Sequence, residues 1–266
     1  MVHMLIRICV LLLIALPQFA QSILPTRAGS LAQVAVGYFN VGSERGTWTT
    51  SMVFMNVSAS AATVQVKFYS SAGLPLTLPV SGFGLVSELQ LIVPFNGTVR
   101  VEFDESTAPL AVGWADVVTS ASVRGQGIYR TRIPGKPVSE AAVPLLVREP
   151  SLCIIPQPNS TAVFPEALIL PFDNTKGYVS SVALANTTTV AASLEIEFLD
   201  EAGNLLHVVT QPLPARGHTA FETSNHPPVA GKKGQIRIRK NPETFTGIAF
   251  LFSPDGPFTT LLPVTR

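Results

Sequence analysis

The stretch Thr49–Leu76, TTSMVFMNVSASAATVQVKFYSSAGLPL, is written again 130 positions later as Val179–Leu206, VSSVALANTTTVAASLEIEFLDEAGNLL. Without a gap, the two copies share Ser51/Ser181, Asn56/Asn186, Ala61/Ala191, Ala62/Ala192, Phe68/Phe198, Ala72/Ala202, Gly73/Gly203 and Leu76/Leu206. Spacing and identity together predict a structural unit used twice, and therefore two domains in a chain of 266 residues. The register then breaks once. From Gly73 to Pro94 the first copy is ten residues longer than the second from Gly203 to Pro214, an insertion placed at about Ser81–Gln90, SGFGLVSELQ. Pro94-x-x-Gly97 with Glu102, and Pro214-x-x-Gly217 with Glu222, resume the frame.

The unit reads as β-structure. Val64, Val66 and Phe68 alternate with Gln65, Lys67 and Tyr69, and Val99, Val101 and Phe103 alternate with Arg100, Glu102 and Asp104. That period of two belongs to half-buried antiparallel strands. Gly73 and Gly203 end turns of the kind that close hairpins with a left-handed glycine. Further strands are expected at Leu31–Gly37, Leu110–Val118, Gln126–Arg132, Gln235–Arg239 and Thr246–Phe252, with closing edge strands at Ala141–Val147 and Thr259–Val264. Asn40–Gly46 reads as a loop, and no segment holds a helical period over three turns. The expected fold is all-β, two tandem antiparallel β-sandwich domains of immunoglobulin-like type with about seven strands each. The first would run over 23–147 and the second over 166–266, with a Pro-rich linker at 148–165.

At the N-terminus a single Arg7 precedes the apolar run Ile8–Leu16 and then small residues, the pattern of a secretory signal peptide over 1–22, cleaved after Ser22. The expected location is extracellular or periplasmic. Cleavage would remove Cys9 and leave Cys153 alone, so no internal disulfide can staple the mature chain. It would also leave 17 basic and 17 acidic residues, which argues against a nucleic-acid partner. No later stretch reaches the ~20 apolar residues of a membrane-spanning helix.

The motifs of hydrolases, zincins, P-loops and paired Cys ligands are absent, and Gly125-Gln126-Gly127 leads into a strand rather than a helix. No cofactor and no enzymatic activity are expected. His207, His218 and His226 match no metal-binding spacing and read as surface histidines. Asp173 with Asn174, and Asp200 with Glu201 and Asn204, carry the hard oxygens a calcium site needs, although turn chemistry explains them unaided. Glu102 and Glu222 recur in the frame and read as outward strand positions. Lys232, Lys233, Arg237, Arg239 and Lys240 form the one basic concentration, read as a charged edge strand or as a site for an anionic glycan or envelope polymer. Trp48 and Tyr178 occupy equivalent positions, as stacking platforms for sugar rings or as packing residues. Asn56, Asn96, Asn159 and Asn186 match the N-x-S/T acceptor pattern, but the repeat positions Asn56 and Asn186 read as turn formers.

Leu170–Asn186, LPFDNTKGYVSSVALAN, with LPARGHTAFE at Leu213–Glu222 and VGWADV at Val112–Val117, resembles a group of uncharacterised secreted bacterial proteins built of paired immunoglobulin-like β-sandwich repeats. The first copy departs from that pattern, with NVGSERGTW where the second has DNTKGY. The resemblance implies architecture and supplies no site residues. The expected role is a non-enzymatic structural, adhesion or envelope-associated protein whose partner is an extracellular or envelope polymer or protein. The alternative is a carbohydrate-binding, or carbohydrate-processing, protein with its ligand at the domain junction or at the first-copy insertion.

Overall fold

The computed structural model describes residues 27–265 except 42, 106–107, 121, 149–166 and 240–243. The expected signal peptide, most of the expected linker, Cys153, Asn159 and Lys240 lie outside the described residues. The N-terminal half contains β1 (Arg27–Val41), β2 (Glu44–Asn56), β3 (Ala62–Ser70), β4 (Leu78–Val80), β5 (Gly84–Val86), β6 (Glu88–Val93), β7 (Thr98–Glu102), β8 (Ala111–Thr119), β9 (Val123–Arg132), β10 (Ser139–Pro144) and β11 (Leu146–Arg148). The C-terminal half contains β12 (Ala167–Asp173), β13 (Val179–Asn186), β14 (Ala192–Asp200), β15 (Leu205–Leu213), β16 (His218–Glu222), β17 (Lys233–Arg239), β18 (Phe245–Phe252), β19 (Phe258–Leu261) and β20 (Val264–Thr265). 3-10 turns lie at Thr223–Asn225 and Pro227–Val229, and no helix among the described residues is long and apolar enough to cross a membrane.

Every pairing between named strands is antiparallel, and the two halves use one order. In the N-terminal half it is β6-β3-β8-β1-β11 and β7-β2-β9-β10; in the C-terminal half it is β15-β14-β17-β12-β20 and β16-β13-β18-β19. The registers coincide as well: Ser51 faces Glu102 and Ile128, and Ser181 faces Glu222 and Phe250. Eleven strands in the N-terminal half and nine in the C-terminal half exceed the expected seven or so, because the first half adds the β4–β5 pair and the closing segments each split into two strands. Asn40–Gly46 is not a loop. Val41 pairs with Glu44, so β1 and β2 form a tight hairpin.

The period-two positions point inward as expected. Met52, Phe54, Val64, Val66 and Phe68 are buried in one cluster, and Leu194, Ile196 and Phe198 in the other. Each fully buried side chain of this size contributes about 1.5–3 kcal/mol. Gly73 (φ 77°) and Gly203 (φ 84°) take the left-handed conformation, and Gly73 N–H donates to Ser70 O at 2.9 Å as Gly203 N–H does to Asp200 O at 3.0 Å. The extra ten residues of the first copy lie four positions earlier than expected. Phe68 exchanges hydrogen bonds with Leu76 and Ser87, so the added residues are 77–86, the β4–β5 hairpin. Leu78 and Val80 are fully buried, and Ser81 N–H donates to Glu102 O at 2.9 Å. The insertion closes one end of the core and presents Phe83 and Leu85 at its exposed tip.

Asn56 and Asn186 are turn formers in a strict sense. Asn186 Nδ2 donates to Val190 O and Pro214 O, both at 2.8 Å, while its Oδ1 accepts from Thr188 N–H at 3.0 Å and Oγ1 at 2.8 Å. Asn56 repeats the set with Ser60, Val93, Pro94 and Ser58. Both amides are buried, so truncation strands carbonyls and N–H groups together. Asn186→Ala and Asn56→Ala are each expected to cost about 2–4 kcal/mol in denaturant unfolding, whereas Asn96→Ala, on an exposed turn, should cost under about 1 kcal/mol.

Candidate functional site

Strand alternation that should leave one polar face fails in β13 and β18. Val182–Asn186 and Phe245–Phe250 are buried on both faces. Val182, Leu184, Phe245 and Ala249 join the C-terminal core, whereas Ala183, Ile248, Phe250 and Phe258 join the core of the N-terminal half. There Trp48 stacks on Phe258 at 5.2 Å and meets Phe250 edge-on at 5.8 Å, and Tyr129 meets Phe250 at 5.0 Å. Tyr129 O–H donates to Gln33 O at 2.8 Å, and burial pushes its hydroxyl pKa far up. Ser139 Oγ accepts from Phe258 N–H at 2.9 Å, and Thr260 Oγ1 donates to Ala142 O at 2.9 Å.

A second cluster seals the same junction from the outer side of β8. Arg216, in the turn before β16, adopts φ 57° and donates to Asp116 Oδ2 at 2.8 Å. Trp114 Nε1–H donates to Arg216 O at 2.7 Å, and Tyr69 stacks on Trp114 at 5.2 Å. His218 N–H donates to Ser71 O at 3.2 Å. The two turns meet so closely that a Cβ added at Gly73 would lie 1.9 Å from Ala215 O.

The face of β13, β18 and β19 that docks here has an exposed twin on β2, β9 and β10. Their matched registers set Arg130 and Glu140 where Phe252 and Phe258 stand, and Ile128 where Phe250 stands. Arg130 donates to Glu140 Oε1 from Nε at 3.0 Å and Nη2 at 2.7 Å. Arg100 pairs with Glu102 at 2.9 Å, Arg132 with Glu105, and Ser81 Oγ with Asp104. With Thr49 and Ser51 these groups, Arg132 excepted, line a groove of about 210 Å³, reached in part by the inserted hairpin through Ser81. The ion pairs are largely solvent-exposed, and such pairs add ~0–1 kcal/mol each to stability. They instead hold donors and acceptors in fixed positions at an open surface. Sequence reasoning placed Glu102 outward but missed Arg100, Arg130 and Glu140. The available signal was the replacement of apolar repeat residues by charged ones.

The residues singled out from the sequence scatter. Trp48 is in the shared core, while Tyr178 is exposed. Asp173 Oδ1 accepts from Thr175 N–H and Oγ1, both at 2.7 Å, in an Asx turn. Asn174 is buried, accepting from Ser180 N–H at 3.1 Å and Thr223 Oγ1 at 2.8 Å. Asn204, through its side chain and its backbone N–H, holds the Asp200 carboxyl below the usual carboxylate range. Glu201 pairs with Lys233 at 2.9 Å and raises the lysine's pKa. Among the described residues no group of three or more His, Cys, Asp or Glu side chains converges as metal ligands.

The basic concentration is not an edge strand: β17 is central, between β14 and β12, because its alternating Ile236 and Ile238 are fully buried. Arg239 and Arg237 both reach Glu197, at 2.9 and 3.4 Å, while Lys232 lies exposed before the strand. Nor are all histidines at the surface. His218 is buried, because its turn is covered by the N-terminal half, and His207 and His226 lie 5.4 Å apart beside Phe198 and Phe221.

Comparison with protein families, with curated proteins and with solved structures finds no match. The tightness of the junction is testable through its two equivalent glycines. Both carry the left-handed strain, but a Cβ at Gly203 meets nothing within 4 Å. Gly73→Ala is expected to lose about 2 kcal/mol more than Gly203→Ala in chemical unfolding, the excess being the clash with the Ala215 carbonyl.

Proposed function

We propose that this chain is a secreted, non-enzymatic protein of two tandem immunoglobulin-like β-sandwich modules, duplicated from one unit, that serves in adhesion or in scaffolding of the cell envelope. The observation that carries the reading is the shared core at the junction, where Phe250 and Phe258 of one half pack with Trp48 and Tyr129 of the other. Modules joined this way transmit position and force between their far ends, as a spacer or scaffold must. Export rests on the signal-peptide pattern of residues 1–22, and the partner would be an extracellular or envelope polymer or protein.

A second reading, carbohydrate binding, is favoured by the groove on β2, β9 and β10. Its fixed guanidinium and carboxylate groups, with the Thr49 and Ser51 hydroxyls, suit the paired hydroxyls of a sugar chain. Both readings are tested by incubating the purified mature protein with insoluble polysaccharides and envelope preparations and measuring retention and released sugar. Envelope retention without released sugar is expected. If carbohydrate is the ligand, Arg130→Ala with Glu140→Ala should weaken polysaccharide retention by about tenfold while leaving the unfolding midpoint nearly unchanged. Sugar release that persists in clean preparations would overturn the non-enzymatic reading, and unchanged polysaccharide retention would remove the groove as the site.

A further inference from the structure

We propose that the junction between the two halves is an acid-released latch with His218 as its trigger: protonation of this buried imidazole separates the halves while each keeps its sheets.

His218 opens β16 immediately after the Pro214–Gly217 turn that grips the N-terminal half. It is only 3% exposed, and neither Nδ1 nor Nε2 has a hydrogen-bond partner among the described residues. A neutral imidazole in that position already forgoes hydrogen bonds, and an imidazolium would be a buried cation with nothing to receive it. The charged groups on the elements packed around it are Arg216, on its own turn, Asp116, on β8, Lys67, which faces Asp116 from β3 and pairs with Glu88 at 3.9 Å, and the exposed Glu222 at the far end of its own strand. Asp116 is engaged by Arg216 at 2.8 Å, so the local cation is matched before His218 adds a second. The Ser70–Leu74 turn against His218 N–H contributes no charge, and neither does the facing Ala185–Asn186 end of β13.

The sign follows from the environment. Burial lowers the imidazole pKa from 6.5 to about 4 in the docked chain, whereas a separated His218 would titrate near its ordinary value. The separated state therefore binds the proton more readily. Docking is fully favoured above pH ~6.5 and weakens steadily as pH falls from there towards 4. Any device that closes at neutral pH and opens in acid needs this arrangement.

Both tryptophans of the chain report on this junction, Trp48 against Phe258 and Trp114 against Arg216. The experiment is an acid titration of the full mature chain from pH 8 to 4, following tryptophan emission and the far-UV β-sheet signal together. A red shift in emission developing between pH 6.5 and 4, with the far-UV signal retained, is expected. His218→Phe should abolish that shift, and His218→Gln, which is polar and cannot be protonated, gives the same test if the phenylalanine does not fold. Asp116→Asn should weaken docking at every pH yet keep the shift in the same window. The His207–His226 pair lies against Phe198 and Phe221, away from either tryptophan, so it does not mimic the response. An emission spectrum constant to pH 4 would overturn the proposal. So would a shift that survives in both His218 variants, or one in the native chain that coincides with loss of the β-sheet signal.

Discussion

The structure depends on one sheet being buried on both sides. In β13 and β18, successive side chains enter opposite cores, so Ala183 and Ile248 belong with Trp48 while Val182 and Ala249 belong with Phe198. An ordinary sandwich sheet leaves its outer face to water. Here that face is filled by the N-terminal half, which makes the two cores one continuous packing problem. Burying this face stabilises the junction through the same apolar transfer that stabilises each core, supplemented by directional bonds from Arg216, Trp114 and Ser139.

The same constraint accounts for where the two halves, alike in strand order and register, differ. The equivalent face of β2, β9 and β10 has no neighbour in the described structure, and its Phe252–Phe258 counterpart has become the Arg130–Glu140 pair. A face kept aromatic there would present a large apolar patch to solvent. Conversely, Gly73 lies against the partner turn while Gly203 remains open. Each half thus shows what the frame looks like with and without a docked partner, and the differences mark the junction and the groove.

The strand frame was legible because period two, the left-handed glycines and the Asn-ended turns are local signals that each half repeats. The position of the inserted hairpin was off by four residues because the Phe68 pairing that defines it is bridged by Leu76 and Ser87, which neither spacing nor composition marks. The central place of β17 was hidden by its charges. Lys233, Arg237 and Arg239 suggested an edge, but Glu197 on β14 and Glu201 in the turn just after it receive them, and cross-strand partners are invisible in one dimension. The burial of His218 was likewise illegible, since the other half covers its turn, whereas the packing role of Trp48 was among the readings its repeat position offered. The groove could have been found from the sequence by asking which apolar repeat residues turn charged in the other copy.

The shared core is tested most directly by thiol accessibility at two neighbouring alanines, in a Cys153→Ser background. Ala183→Cys faces the junction and Ala249→Cys faces the interior of the C-terminal half, and both native alanines are fully buried. If the halves are docked as described, neither thiol reacts with a maleimide at neutral pH until the protein is unfolded. Rapid labelling of Ala183→Cys with continued protection of Ala249→Cys would show the core of the C-terminal half intact but its outer face in solvent, and would contradict the account.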